Sequence, residues 1–147
     1  MRFWDSSAII PLLLDEPTTA AIQAVFLEDN EMSVWWCTSV ECASALARKR
    51  HANQIPGHAM EAAYLRLAAF QRSWSEIEPQ RSLRDNATRL LQAHDLRAAD
   101  ALQLAAAMVA AEGAPQTLDF VCLDARLSMA AQGEGFRVTS GNPESRA

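Results

Sequence analysis

The feature that most limits how this chain can fold is an alternation. Short runs of β-branched and aromatic residues are separated by longer stretches with helical periodicity. "RFW" (2–4), "MSVWWC" (32–37), "DFVCLD" (119–124) and "FRVTS" (136–140) read as strands, with "SEIEP" (75–79) as a shorter one. A first helix begins at Ser6 or Ser7 and carries "AIIPLLL", where Pro11 is tolerable only in or near the first turn. "EPTTAAIQAVFLED" (16–29) reads as a second helix and "TSVECASALARKRHANQ" (38–54) as a third. The segment 56–74 places Ala62, Leu65 and Ala69 at helical spacing. "SLRDNATRLLQAHD" (82–95) opens on Ser82 as N-cap with Asp85 three residues on. "LRAADALQLAAAM" (96–108) is ended by Gly113 and Pro115, and "ARLSMAAQGEG" (125–135) is the last helix. Strands alternating with helices favour a parallel sheet with helices on its faces. Such α/β sheets bind ligands beyond the carboxyl ends of their strands, so chemistry is expected just after each strand.

The chain has 147 residues and shows no repeat, linker or low-complexity block, so residues 1–147 read as a single domain. Half of it is apolar, enough for a core without staples. No apolar run is long enough for a transmembrane helix, and "MRFWDSSAII" lacks the long apolar stretch of a secretory signal. A cytoplasmic location and no membrane partner are therefore expected. Cys37, Cys42 and Cys122 lack zinc-type spacing and read as free thiols packed as small hydrophobes. Trp35 and Trp36 are expected in the core, one on each face of a strand buried on both sides. The net charge of −5 argues against a protein that coats nucleic acid by bulk electrostatics, but leaves room for an enzyme with a few local cations.

Acids stand where the fold class expects chemistry. Asp5 closes the first strand, and Asp124 closes "FVCL". Glu41 lies four residues past "SVWWC", in the first turn of the following helix. Asp100 sits near the front of its helix between apolar neighbours, where desolvating a carboxylate costs roughly several kcal/mol unless something compensates. Each acid also has a purely structural reading. Glu41 makes a T-x-x-E capping box with Thr38. Asp5 and Asp124 can serve as N-caps, and Asp100 suits a helix N-terminus. Brought to one spot, four carboxylates repel one another and raise each other's pKa values, and such a cluster is stable at neutral pH mainly when it holds cations. His51, His58 and His94 follow polar helical segments and read as solvated surface residues. The candidate ligands are thus all oxygens, which points to Mg²⁺ or Mn²⁺ rather than zinc. Carboxylate-held Mg²⁺ serves phosphoryl chemistry, and nuclease activity on RNA or DNA is the natural class.

Together, "MRFWDSSAIIPLLLDEP", "TSVECASALARKR", "LRAADALQLA" and "FVCLDARL" resemble the PIN domain, specifically the VapC-type toxins of bacterial toxin–antitoxin pairs. The resemblance runs over essentially the whole chain with the segments in order. It implies a PIN-like α/β/α sandwich with a central parallel sheet of four to five strands. It further implies a Mg²⁺- or Mn²⁺-dependent endoribonuclease that acts as a toxin, a VapB-type antitoxin partner, and a homodimer. By the same match, Asp5, Glu41, Asp100 and Asp124 are the catalytic and metal-binding acids, with Asp5 and Asp100 the firmest ligands. Ser7 orients Asp5 or a bound water, and the helices around 18–28 and 39–53 form a groove for an antitoxin helix. One position departs from the family pattern: Cys122 stands where threonine is usual, which weakens the assignment of Asp124. Asp119 is a rival acid, but it begins its strand and belongs on the opposite edge of the sheet.

Other functions fit less well. A phosphoryl-accepting signalling domain needs a lysine near a late strand, and the only lysine is Lys49 on an early helix. No G-x-x-x-x-G-K motif is present, which excludes a P-loop NTPase. A haloacid-dehalogenase-like phosphatase wants Asp-x-Asp after the first strand, where this chain has Asp5-Ser6-Ser7. The runner-up is a catalytically weak binding protein of the same fold that acts mainly through its antitoxin complex. "ARKRH" (47–51), the densest basic cluster, reads either as an RNA-backbone contact or as a helix end that complements the dipole.

Overall fold

Adjacent residues on three strands pack into different cores. Phe3, Trp35 and Phe120 lie in one apolar cluster, while their neighbours Trp4, Val34 and Val121 lie in the other. This is the two-residue period of strands buried on both faces. In the computed structural model, which describes residues 1–141, these strands form one sheet in the order β3-β2-β1-β4-β5. They are β1 (Arg2–Trp4), β2 (Met32–Trp35), β3 (Ser75–Ile77), β4 (Asp119–Val121) and β5 (Arg137–Thr139). All pairings are parallel. The expected α/β class with a parallel sheet is therefore what the chain adopts, with five strands. Residues 142–147, the end of the expected domain, lie outside the described residues.

Seven α-helices and a 3-10 turn at Pro115–Thr117 complete the described residues: α1 (Ser6–Leu13), α2 (Thr19–Glu28), α3 (Thr38–His51), α4 (Gly57–Gln71), α5 (Arg81–Ala93), α6 (Ala98–Ala110) and α7 (Ala125–Gly133). Helices α1 to α4 supply Ile9, Leu13, Ile22, Leu46 and Leu67 to the core around Trp4. Helices α5 to α7 supply Leu83, Leu90, Leu104 and Leu127 to the core around Phe3, which stacks on Phe120 at 5.4 Å. The chain steps from β1 outward to β2 and β3, then returns to the other side of β1 for β4 and β5. The order of travel reverses at β1 and β4, and a crevice forms outside the strand ends at such a switch point.

Several local expectations change. Trp36 is 51% exposed, because β2 stops at Trp35 and the two core faces are filled by Val34 and Trp35. Helix α4 buries Met60, Ala63 and Leu67, leaving Leu65 73% exposed, so its inward stripe is offset from Ala62, Leu65 and Ala69. Helix α5 starts two residues earlier than expected, with Gln80 rather than Ser82 at the cap. Pro11 lies past the first turn of α1, where its missing N–H leaves the Ser7 carbonyl without its usual helical donor. It is buried, and the helix ends three residues later at the Leu14 cap. Helix α1 packs against both α2 and α3, and α3 packs equally on α4 rather than on α2. Finally, β4 ends at Val121, three residues before Asp124.

Candidate active site

Because the strands are parallel, every acid that follows a strand emerges on one edge. Asp5 follows the central β1 and caps α1, accepting from the Ser7 backbone N–H at 3.0 Å. Asp124 lies beyond β4 and caps α7, accepting from the Leu127 N–H at 2.7 Å. Both N-cap readings are thus correct, and both caps also face the crevice. Glu41 and Asp100 reach it from the first turns of α3 and α6. Asp5, Glu41, Asp100 and Asp124 line one open cavity of about 500 Å³, together with Ser6, Ser7 and Arg48.

The capping-box reading of Glu41 does not hold. Thr38 is the first residue of α3 rather than its cap, and Cys37 at the cap makes no side-chain bond. Thr38 is buried and accepts instead from the Gln103 amide Nε2 at 3.1 Å. The Glu41 carboxylate accepts at Oε2 from Ser6 Oγ and from Gln103 Nε2, both at 3.0 Å. Among the described residues its Oε1 takes no hydrogen bond. Ser7 orients Asp5, as expected, through both its backbone and its hydroxyl. The same hydroxyl accepts from the Leu123 N–H at 3.0 Å, which ties the exit of β4 to Asp5. Cys122 lies against this network, its Sγ 3.7 Å from Asp5 Oδ2. Burial pushes its thiol up to about 12, so it stays protonated and unreactive at neutral pH.

The electrostatics follow from burial and crowding. Asp5 is 3% exposed, and burial pushes its carboxyl above the usual range, with the charge of Asp100 adding to the effect. Glu41 is raised by burial first and then by Asp5 and Asp100. Asp100 is raised by burial and by Asp124, against an opposing pull from Arg97 and Arg126. None of these acids forms an ion pair among the described residues. As they stand, no three acidic, histidine or cysteine side chains among the described residues are grouped to hold one ion. Oxygen-only ligands, crowded and short of cations, nonetheless fit a divalent ion that keeps most of its water shell, as Mg²⁺ does when only one or two carboxylates touch it.

Residues outside the expected set also matter. Gln103 lies three residues from Asp100 on one helix, the spacing at which two side chains share a face. Ser6 also lines the cavity, and Arg48, from the basic cluster 47–51, is the only cation on its wall among the described residues. Asp119 stands at the opposite edge, paired with Arg137 and, at 3.5 Å, with Arg2. His51 and His58 are exposed as expected, but His94 is half-buried and contacts Glu134 at 2.7 Å.

A five-stranded parallel sheet between two helical layers, with acids at its switch point, defines an α/β protein of PIN-like fold. A chain in the crystal structure of FitAcB from Neisseria gonorrhoeae is similar, with a TM-score of 0.65 over 96% of this chain and 98% of that one. At 15% identity that likeness concerns the fold. No protein-family model and no curated protein matches the sequence.

Proposed function

We propose that the protein is a Mg²⁺- or Mn²⁺-dependent endoribonuclease and the toxin of a toxin–antitoxin pair. One observation carries the reading: four carboxylates from distant segments line one cavity, with no ion pair among the described residues to neutralise them. Asp5, Glu41, Asp100 and Asp124 would hold the ion. A bound divalent ion supplies the Lewis acidity and charge neutralisation that phosphodiester hydrolysis needs. Ser7 holds Asp5 in place, and Ser6 with Gln103 holds one oxygen of Glu41 while the other takes no hydrogen bond from the described residues. Arg48, one cation among these acids, offers a guanidinium to a phosphate oxygen of the substrate strand.

The toxin role is supported by the sequence resemblance to VapC-type toxins, and the fold shared with a chain of FitAcB agrees with it. A VapB-type antitoxin that covers the acid edge, and a homodimer, belong to the same reading. That no three acids are already grouped around one point is the observation that favours the alternative, a weakly catalytic binding protein of this fold. Cleavage of RNA by purified protein with Mn²⁺ separates the two. Asp5→Asn and Asp100→Asn should lower the rate by about a hundredfold or more while the thermal melt is retained. Cleavage at the wild-type rate in both variants would sink the assignment, and no cleavage by the wild type would leave the alternative.

A further inference from the structure

A second cavity opens on the same edge of the sheet. It encloses about 400 Å³ and is lined by Trp35 at the end of β2, by Gln80, Arg81 and Arg84 at the start of α5, and by Leu102 of α6. Helix α6 stands between the two cavities: Asp100 lines the first, and Leu102 lines the second. Residues two apart on a helix face different sides, so one helix walls both.

The two arginines are placed against local preference. Arg81 opens α5 and Arg84 follows one turn later, at the helix end where the dipole disfavours cations. No side chain caps this helix start. Arg81 and Arg84, like several other arginines, join no ion pair among the described residues, but they are the two that line this cavity. Two cations at a helix start that disfavours them, both on the wall of one cavity, leave their charge free for an anion entering it. The neighbouring acid cavity, meanwhile, repels any polyanion, so a substrate strand needs a cationic approach beside it.

We infer that the second cavity is the subsite for the RNA strand leading into the acid cavity, with Arg81 and Arg84 gripping a phosphodiester and the Trp35–Leu102 floor receiving a ribose or base. The inference rests on the ribonuclease reading above. Two forked guanidiniums one turn apart suit the oxygens of a phosphodiester, and the apolar floor suits the flat sugar–base unit attached to it.

The test is fluorescence anisotropy of a labelled single-stranded oligoribonucleotide, with EDTA present to prevent turnover, beside cleavage assays with Mn²⁺. The Arg81→Ala/Arg84→Ala double variant should bind about tenfold more weakly or worse, with its salt slope reduced by about two. Arg84→Lys should lie between, and the exposed Arg72→Ala should match the wild type. Cleavage of a dinucleotide too short to span both cavities should be unchanged in the double variant. Unchanged oligonucleotide affinity and salt slope in a folded double variant would overturn the subsite. A wild type that cleaves RNA without using these arginines keeps the nuclease and loses the subsite. A wild type that binds through them but never cleaves keeps the subsite and loses the nuclease.

Discussion

Gln103 is fully buried, and its amide nitrogen donates to both Thr38 Oγ1 and Glu41 Oε2. A carboxylate only accepts, so this contact sets which way the amide points and where Glu41 lies. Its own Oε1 is buried with no hydrogen-bond partner among the described residues. Gln103→Ala should destabilise by about 1–3 kcal/mol in urea unfolding, because Thr38 and Glu41 lose a buried donor. It should also weaken Mn²⁺ binding by about 10–100-fold in calorimetric titration. Unchanged Mn²⁺ affinity would show that Glu41 is not positioned this way. The acids set a second expectation. Asp5, Glu41 and Asp100 have raised pKa values, so their contribution to stability is present below the unfolded pKa and lost as pH rises through the folded one. Glu134, held low by Arg89 and His94, works the other way, losing its contribution as pH falls. A divalent cation relieves only the first group, and binds only once those acids are ionised. The rise in melting temperature on adding Mn²⁺ should therefore be clear at pH 7.5 and shrink toward pH 5. Because Glu134 acts equally with and without the ion, the difference isolates the acid cavity. An increment of equal size at both pH values would count against it.

At the scale of elements, the two ends of β4 have different roles. Its first residue, Asp119, anchors Arg137 and Arg2 at the amino edge, while the chain leaving its other end leads to Asp124 in the cavity. Asp119→Asn should cost about 1 kcal/mol or less, since its partners are partly solvated, and should leave RNA cleavage untouched. A large loss of cleavage would mean that the two edges are coupled. The start of α3 shows how an element decides the fate of a residue. Thr38 and Glu41 have the spacing of a capping box, but the helix begins one residue earlier than that motif needs. The threonine hydroxyl turns inward to Gln103, and the acid is left facing the crevice. Trp36 has a similar history: a strand two residues shorter than its apolar run put an indole on the surface.

For the whole molecule, the sheet divides the interior into two cores, one against α1–α4 and one against α5–α7. Leu46 and Leu104 are fully buried, one in each. Leu46→Ala and Leu104→Ala should each cost about 2–5 kcal/mol and shift one shared unfolding transition, because the sheet belongs to both cores. Two separable transitions in either variant would show that the cores melt independently. By itself, the sequence determined the alternation of strands and helices, the parallel sheet it implies, and that Asp5 and Asp124 follow strands that share an edge. Those follow from periodicity and from connection length, which are local properties. The tertiary structure decided the rest. It set the strand order that puts the switch point at β1 and β4, the inward face of α4, and the exposure of Trp36. It also joined Gln103 to Thr38 and Glu41 across 65 and 62 residues of chain. Such contacts depend on which helix faces meet across the sheet, and no local spacing records that.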